Sequence, residues 1–147
     1  MKLQDGNKTI ELSVLGYQFP DEPPSKPNVP NHDANWLTIQ VTYREDGREE
    51  SYQDSCLLTW ELSQLTNAMA AAIDGRITSY ISDILEPYLK FALAKAEDRF
   101  TVQMQYSDCD PKGENWKVLS VTQLVSREQL SVFCEELKKV LSIYPAR

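Results

Sequence analysis

From residue 36 to residue 44 apolar and polar side chains alternate without interruption, Leu37, Ile39, Val41 and Tyr43 against Thr38, Gln40, Thr42 and Arg44. A period of two belongs to a strand with one buried and one wet face; a helix scatters the same residues around its axis. The pattern recurs. Residues 9–15 set Ile10, Leu12 and Val14 against Glu11 and Ser13, residues 89–93 set Leu89, Phe91 and Leu93 against Lys90 and Ala92, and residues 100–106 set Phe100, Val102, Met104 and Tyr106 against Thr101, Gln103 and Gln105. Turn chemistry lies between neighbours: Glu45-Asp46-Gly47, where glycine takes a positive φ, and Glu97-Asp98.

A strand over residues 48–57 follows the first turn. Its start, Arg48 to Asp54, is too polar for a buried central position, so it extends beyond the core or lies at an edge. Residues 116–124 are apolar on both faces at Val118, Leu119 and Val121, which predicts a central strand.

Two stretches change period. Thr59 is a reasonable N-cap with Glu61 in the first turn, and Leu62, Leu65, Met69, Ala72 and Ile73 recur at helical spacing until Asp74-Gly75. Ser126 and Gln129 form a capping box with Val125 and Leu130 as its hydrophobic staple; Leu130, Phe133, Cys134, Leu137, Val140 and Leu141 make the stripe that Pro145 closes. Pro20, Pro23, Pro24, Pro27 and Pro30 make residues 19–31 a surface loop, because proline removes a donor and fixes φ. The expected fold is therefore α+β: one mostly antiparallel sheet of about six strands with two helices packed on one face. Without repeats or a dividing linker, residues 1–147 are expected to form a single domain.

The formal net charge of −7 gives no field for phosphate backbones or anionic lipid, so neither direct nucleic-acid binding nor membrane association is expected. A basic protein is the better partner, although acidity also serves solubility alone. The segment Met1 to Asn7 has no apolar run, so no leader is expected, and no later run approaches the roughly 20 apolar residues of a membrane span. Cys56, Cys109 and Cys134 are odd in number and lack CxxC spacing, which points to a reducing compartment and a cytoplasmic protein.

No catalytic, metal or cofactor set emerges. The one histidine, His32, ends the proline-rich loop beside Asp33, where packing does not obviously hold an imidazole as a base. The five glycines form no phosphate-binding loop, and the cysteines lack zinc spacing. The acids of residues 108–114 lack the twelve-residue calcium pattern. Glu49-Glu50 and Glu135-Glu136 are sequence neighbours whose side chains point apart. In Asp33-Ala34-Asn35-Trp36-Leu37, Asp33 and Asn35 suit an Asx turn and Trp36 a place over the core edge; a partner contact is the alternative.

This last segment belongs to an ordered set of pieces. Glu11-Leu12-Ser13-Val14-Leu15-Gly16-Tyr17 with Pro20 precedes it; Leu57-Leu58-Thr59-Trp60-Glu61-Leu62 with Leu65, then Glu86-Pro87 with Leu89 and Phe91, follow. In that order they resemble the WapI-type immunity proteins, antidotes to wall-associated or Rhs-like toxins of bacterial contact-dependent competition. The resemblance covers roughly the first two thirds of the chain and adds an expected role: binding and neutralising a cognate toxin domain. Asp33, Asn35, Trp36, Leu37, Thr59, Trp60, Glu61, Glu86 and Pro87 are its motif residues, read as structural. Many such toxins are nucleases with basic surfaces, which an acidic antidote could cap. The acids to test are then Glu45, Asp46, Glu49, Glu50 and Asp54 of the polar hairpin and Asp108, Asp110 and Glu114 of the later turn.

Two other readings stand beside it. One is a small hydrolase or transferase using His32 and nearby acids. The other is a scaffold module that self-associates through a strand edge such as the Arg48 hairpin, so that a monomer and a weak homo-oligomer are both open.

Overall fold

A computed structural model describes residues 1–109 and 115–147. It is α+β, with the order β1 (Lys2–Asp5), β2 (Lys8–Tyr17), β3 (Trp36–Glu45), β4 (Arg48–Leu58), α1 (Thr59–Ile73), β5 (Ser79–Ile81), β6 (Leu89–Ala96), β7 (Arg99–Cys109), β8 (Trp116–Val125) and α2 (Arg127–Ile143). A short 3-10 turn, Asp33–Asn35, leads into β3. Four strands and a helix are thus followed by four strands and a helix.

The strands form two antiparallel sheets, ordered β1-β2-β3-β4 and β5-β6-β7-β8, instead of one sheet of about six. β1 and β5 escape a reading by alternation because they are too short to alternate: β1 buries only Leu3, and β5 has three residues. The helix between β4 and β5 separates the two meanders. At the seam β1 lies against β8, where the Gln4 N–H donates to the Gln123 side-chain carbonyl (2.9 Å).

The inner faces of both sheets and the helices share one apolar cluster. Ile10, Leu12, Leu37, Ile39 and Val41 enter it from the first sheet, Phe91, Val102, Met104 and Val121 from the second. The helices do not merely line one face. They pack against each other, α1 also reaching β4 and β6 and α2 reaching β7 and β8.

β8 corrects a second expectation. It is an edge strand of its sheet, with Trp116, Val118 and Leu124 about half exposed and Leu119, Val121 and Val125 buried. Apolar side chains on both faces signal a central strand only where both faces are covered; the outer face of this sheet is wet. β4, in contrast, is the edge strand that its polar start predicts.

The helix ends follow local chemistry. The Ser126 hydroxyl accepts from Gln129 N–H (3.2 Å) and the Gln129 side chain accepts from Ser126 N–H (2.9 Å), the expected capping box. In α1 the N-cap is Leu58, not Thr59. Leucine has no acceptor, so only the return half of a box exists, Leu58 N–H to Glu61 Oε2 (2.8 Å). Gly75, at φ +75°, ends α1: its N–H bonds Ala72 C=O while Arg76 N–H bonds Ala71 C=O, a Schellman closure.

Candidate partner-binding cleft

The alternation of β4 determines what its polar half does. Tyr43, Val41 and Ile39 point into the core, and their register partners are Glu50, Tyr52 and Asp54. These three therefore occupy the core-facing side at the end of the sheet where the apolar cluster runs out. From the second sheet Tyr106 of β7 and Lys117 of β8, the register partner of Asp108, reach across to them.

The polar groups there meet in pairs. Lys117 Nζ forms an ion pair with Glu50, whose Oε2 also accepts from the Tyr52 hydroxyl (2.5 Å). The Tyr52 and Tyr106 rings lie 5.2 Å apart, and the Tyr106 hydroxyl points to Asp54 Oδ2 at 3.5 Å. Further out, Glu45 accepts from Tyr43 (2.8 Å) and pairs with Lys8 (2.8 Å). Tyr43, Glu45, Asp46, Arg48 and Glu50 line a cleft of about 370 Å³.

Electrostatics follow from those contacts. The hydrogen bond from Lys117, then that from Tyr52, holds the Glu50 carboxyl below its ordinary value, and Lys8 does the same for Glu45. Desolvation first, and nearby Asp54 second, pushes the Tyr106 phenol upward and the buried Cys56 thiol up to about 12. These groups stay protonated near neutral pH and serve as donors or filler, not as nucleophiles. Among the described residues no cluster of His, Cys, Asp and Glu side chains is arranged to hold a metal ion.

Of the acids singled out from the sequence, Glu45, Asp46 and Glu50 line this cleft, Asp46 also accepting from the Asn7 amide, while Asp54 lies beside it at Tyr106 and Asp108 on β7 opposite Lys117. Glu49 does not belong to the group. It projects from the opposite face of β4, where Arg44 Nε holds it at 2.6 Å. Asp110 and Glu114 lie outside the described residues. The sequence reading missed Lys8, Tyr43, Tyr52, Tyr106 and Lys117. The available signal was parity: Glu50, Tyr52 and Asp54 are every second residue of one strand, so they had to share a face.

A model of the immunity protein WapI-like family matches residues 2–145, nearly the whole chain. The chain belongs to that family. No curated protein matches it. Among solved structures, the crystal structure of WHY3 from Arabidopsis thaliana is similar over 96% of this chain and 85% of that one, at 10% identity and a TM-score of 0.47.

In this WapI-like chain the motif residues carry structure. Asn35 is fully buried. Its carbonyl accepts from the Thr59 hydroxyl (2.7 Å) and Arg147 N–H (2.8 Å), while its amide donates to the main-chain oxygens of Asn31 (2.9 Å) and Arg147 (2.6 Å). Thr59, expected as a helix cap, is instead spent on Asn35. The Asx acceptor for the 3-10 turn is Asn31, which takes Ala34 N–H at 3.4 Å, rather than Asp33, which is exposed. Leu37 is in the core and Trp36 half-buried. Glu61 spans the α1 start, accepting from Leu58 and from Leu85 N–H (2.7 Å). Burial raises its carboxyl above the ordinary value, and the two backbone donors partly offset this. Leu85 immediately precedes half-buried Glu86 and exposed Pro87. Trp60 meets the ring of exposed His32 edge-on at 5.1 Å, so His32 packs as a surface aromatic. Among the described residues, no helix is long and apolar enough to cross a membrane.

Proposed function

We propose that this chain is an immunity protein that neutralises a cognate toxin domain by stoichiometric binding, and that the tyrosine–acid cleft of the β3–β4 hairpin, beside β7–β8, receives a basic surface of that toxin. Family membership over residues 2–145 is the observation that carries the role. The cleft supports the mode. Tyrosine is enriched at the energetic centres of interfaces, and acids beside it complement arginine or lysine. Lys8 and Lys117 compensate Glu45 and Glu50 and Arg48 adds a third positive charge, whereas Asp46, Asp54 and Asp108 have no ion pair among the described residues, so acids still outnumber bases in and beside the cleft. A toxin delivered between touching cells would be met in the cytoplasm, and the antidote needs no chemistry of its own to block it.

Co-expression with the toxin domain encoded beside it, together with a pull-down of the pair, tests the role. Replacing Glu45, Glu50 and Asp108 together by lysine tests the cleft. Close interfacial charge pairs couple by about 1.5 kcal/mol or more, so the triple variant is expected to raise Kd by roughly 100-fold or more and abolish protection. Full protection by a triple variant with unchanged circular dichroism places the toxin elsewhere.

A further inference from the structure

The outer edge of the first sheet is open. Beyond its pairing with β3, β4 makes no main-chain hydrogen bond to another strand among the described residues, and Arg48, Glu49, Ser51 and Gln53 are exposed. Charges on an edge strand ordinarily guard it against pairing. Here two of those charges are cancelled inside the chain, Glu49 by Arg44 and Glu50 by Lys117. Arg48 and Asp54 have no ion pair among the described residues. They are opposite in sign, lie on the same face of β4, and are equally distant from Ser51.

That spacing is self-complementary. An antiparallel copy of β4 related by a two-fold axis at Ser51 sets Arg48 opposite the copy's Asp54, twice over. Glu49 then faces Gln53 and Glu50 faces Tyr52, so no two acids meet. Moving the axis to Glu49 or to Glu50 places that glutamate against itself, and moving it to Tyr52 places Glu50 against Asp54. Like charges directly opposite on paired strands are unfavourable. We propose that two copies of this chain associate edge to edge through β4, centred on Ser51, so that one continuous sheet runs across both. The pairing engages Asp54 and leaves Glu45, Glu50 and Asp108 to the cleft.

Sedimentation of the full chain across a concentration range, at about 0.15 M salt where charges more than about 8 Å apart are largely screened, measures the association. A concentration-dependent dimer is expected. Arg48→Asp alone and Asp54→Arg alone should each weaken it roughly tenfold, because each converts two attractive cross-strand pairs into repulsive ones. The double exchange should restore it. Register is read by mild oxidation: Ser51→Cys, opposite itself, should cross-link beyond the parent chain. Gln53→Cys should not, since in this register its counterpart lies roughly 13 Å further along, beyond disulfide reach. A monomer at every concentration, a double exchange no better than the singles, or equal cross-linking at both positions overturns the proposal. So does a β4 that pairs only with a toxin strand.

Discussion

At the scale of single residues, Asn35 joins the proline-rich loop, the start of β3, the first turn of α1 and Arg147 through one buried amide. Truncating it leaves the fully buried Thr59 hydroxyl and the Arg147 N–H without their acceptor. Orphaned buried groups cost about 1–3 kcal/mol each, so Asn35→Ala is expected to lose roughly 3 kcal/mol or more in urea unfolding. Glu50 gives a pH signature. Its folded value is depressed, chiefly by Lys117. Its stabilisation is therefore present above the ordinary carboxylate value and lost as pH falls through the depressed folded one. Lys117→Met should show a smaller loss of Tm than the parent when melts are followed from neutral pH down through the carboxylate range. Both side chains are largely solvated, so the difference will be small.

At the scale of elements, ends and edges are set more tightly than middles. Gly75 is at φ +75° with open space where a Cβ would stand. An alanine there is disfavoured by the backbone alone, and Gly75→Ala is expected to cost about 1 kcal/mol, read as a lowered midpoint with an unchanged m-value. β4 shows how an element can be half core and half surface. Its register with β3 shifts between Leu37 and Ile39, which pair with Leu57 and Asp54, so β4 carries an extra residue there. Past that bulge it buries Cys56, Leu57 and Leu58. Before it, the same strand offers Glu50, Tyr52 and Asp54 to the cleft. The bulge lets one strand close the core and build the candidate site.

At the scale of the molecule, the two sheets are stable only against each other and the helix pair, because each has one apolar face and the shared cluster draws on both. Met104, fully buried on β7, sits in that shared layer. Met104→Ala is expected to destabilise by about 2–5 kcal/mol, and two-state unfolding monitored at Trp36 and by far-UV dichroism should shift together. Separate transitions would show that the two halves do not share one cooperative core. The β3–β4 hairpin lines the cleft, and the docking brings Lys117 and Tyr106 of the second sheet against its Glu50 and Tyr52.

Alternation determined the long strands, helical spacing determined both helices, the Ser126 capping box determined the start of α2, and proline placed the loop, because these signals act between residues a few positions apart. Alternation also carried the site's parity: Glu50, Tyr52 and Asp54 had to share a face. What required the tertiary structure was everything decided by distant neighbours. Whether β8 is central or at an edge depends on what covers its outer face. Whether Thr59 caps a helix or serves Asn35 depends on a residue 24 positions away in the chain. Lys117 meets Glu50 across 67 positions, and no local pattern records a charge pair of that kind. Local periodicity specifies which face of a strand is buried; only packing specifies against what.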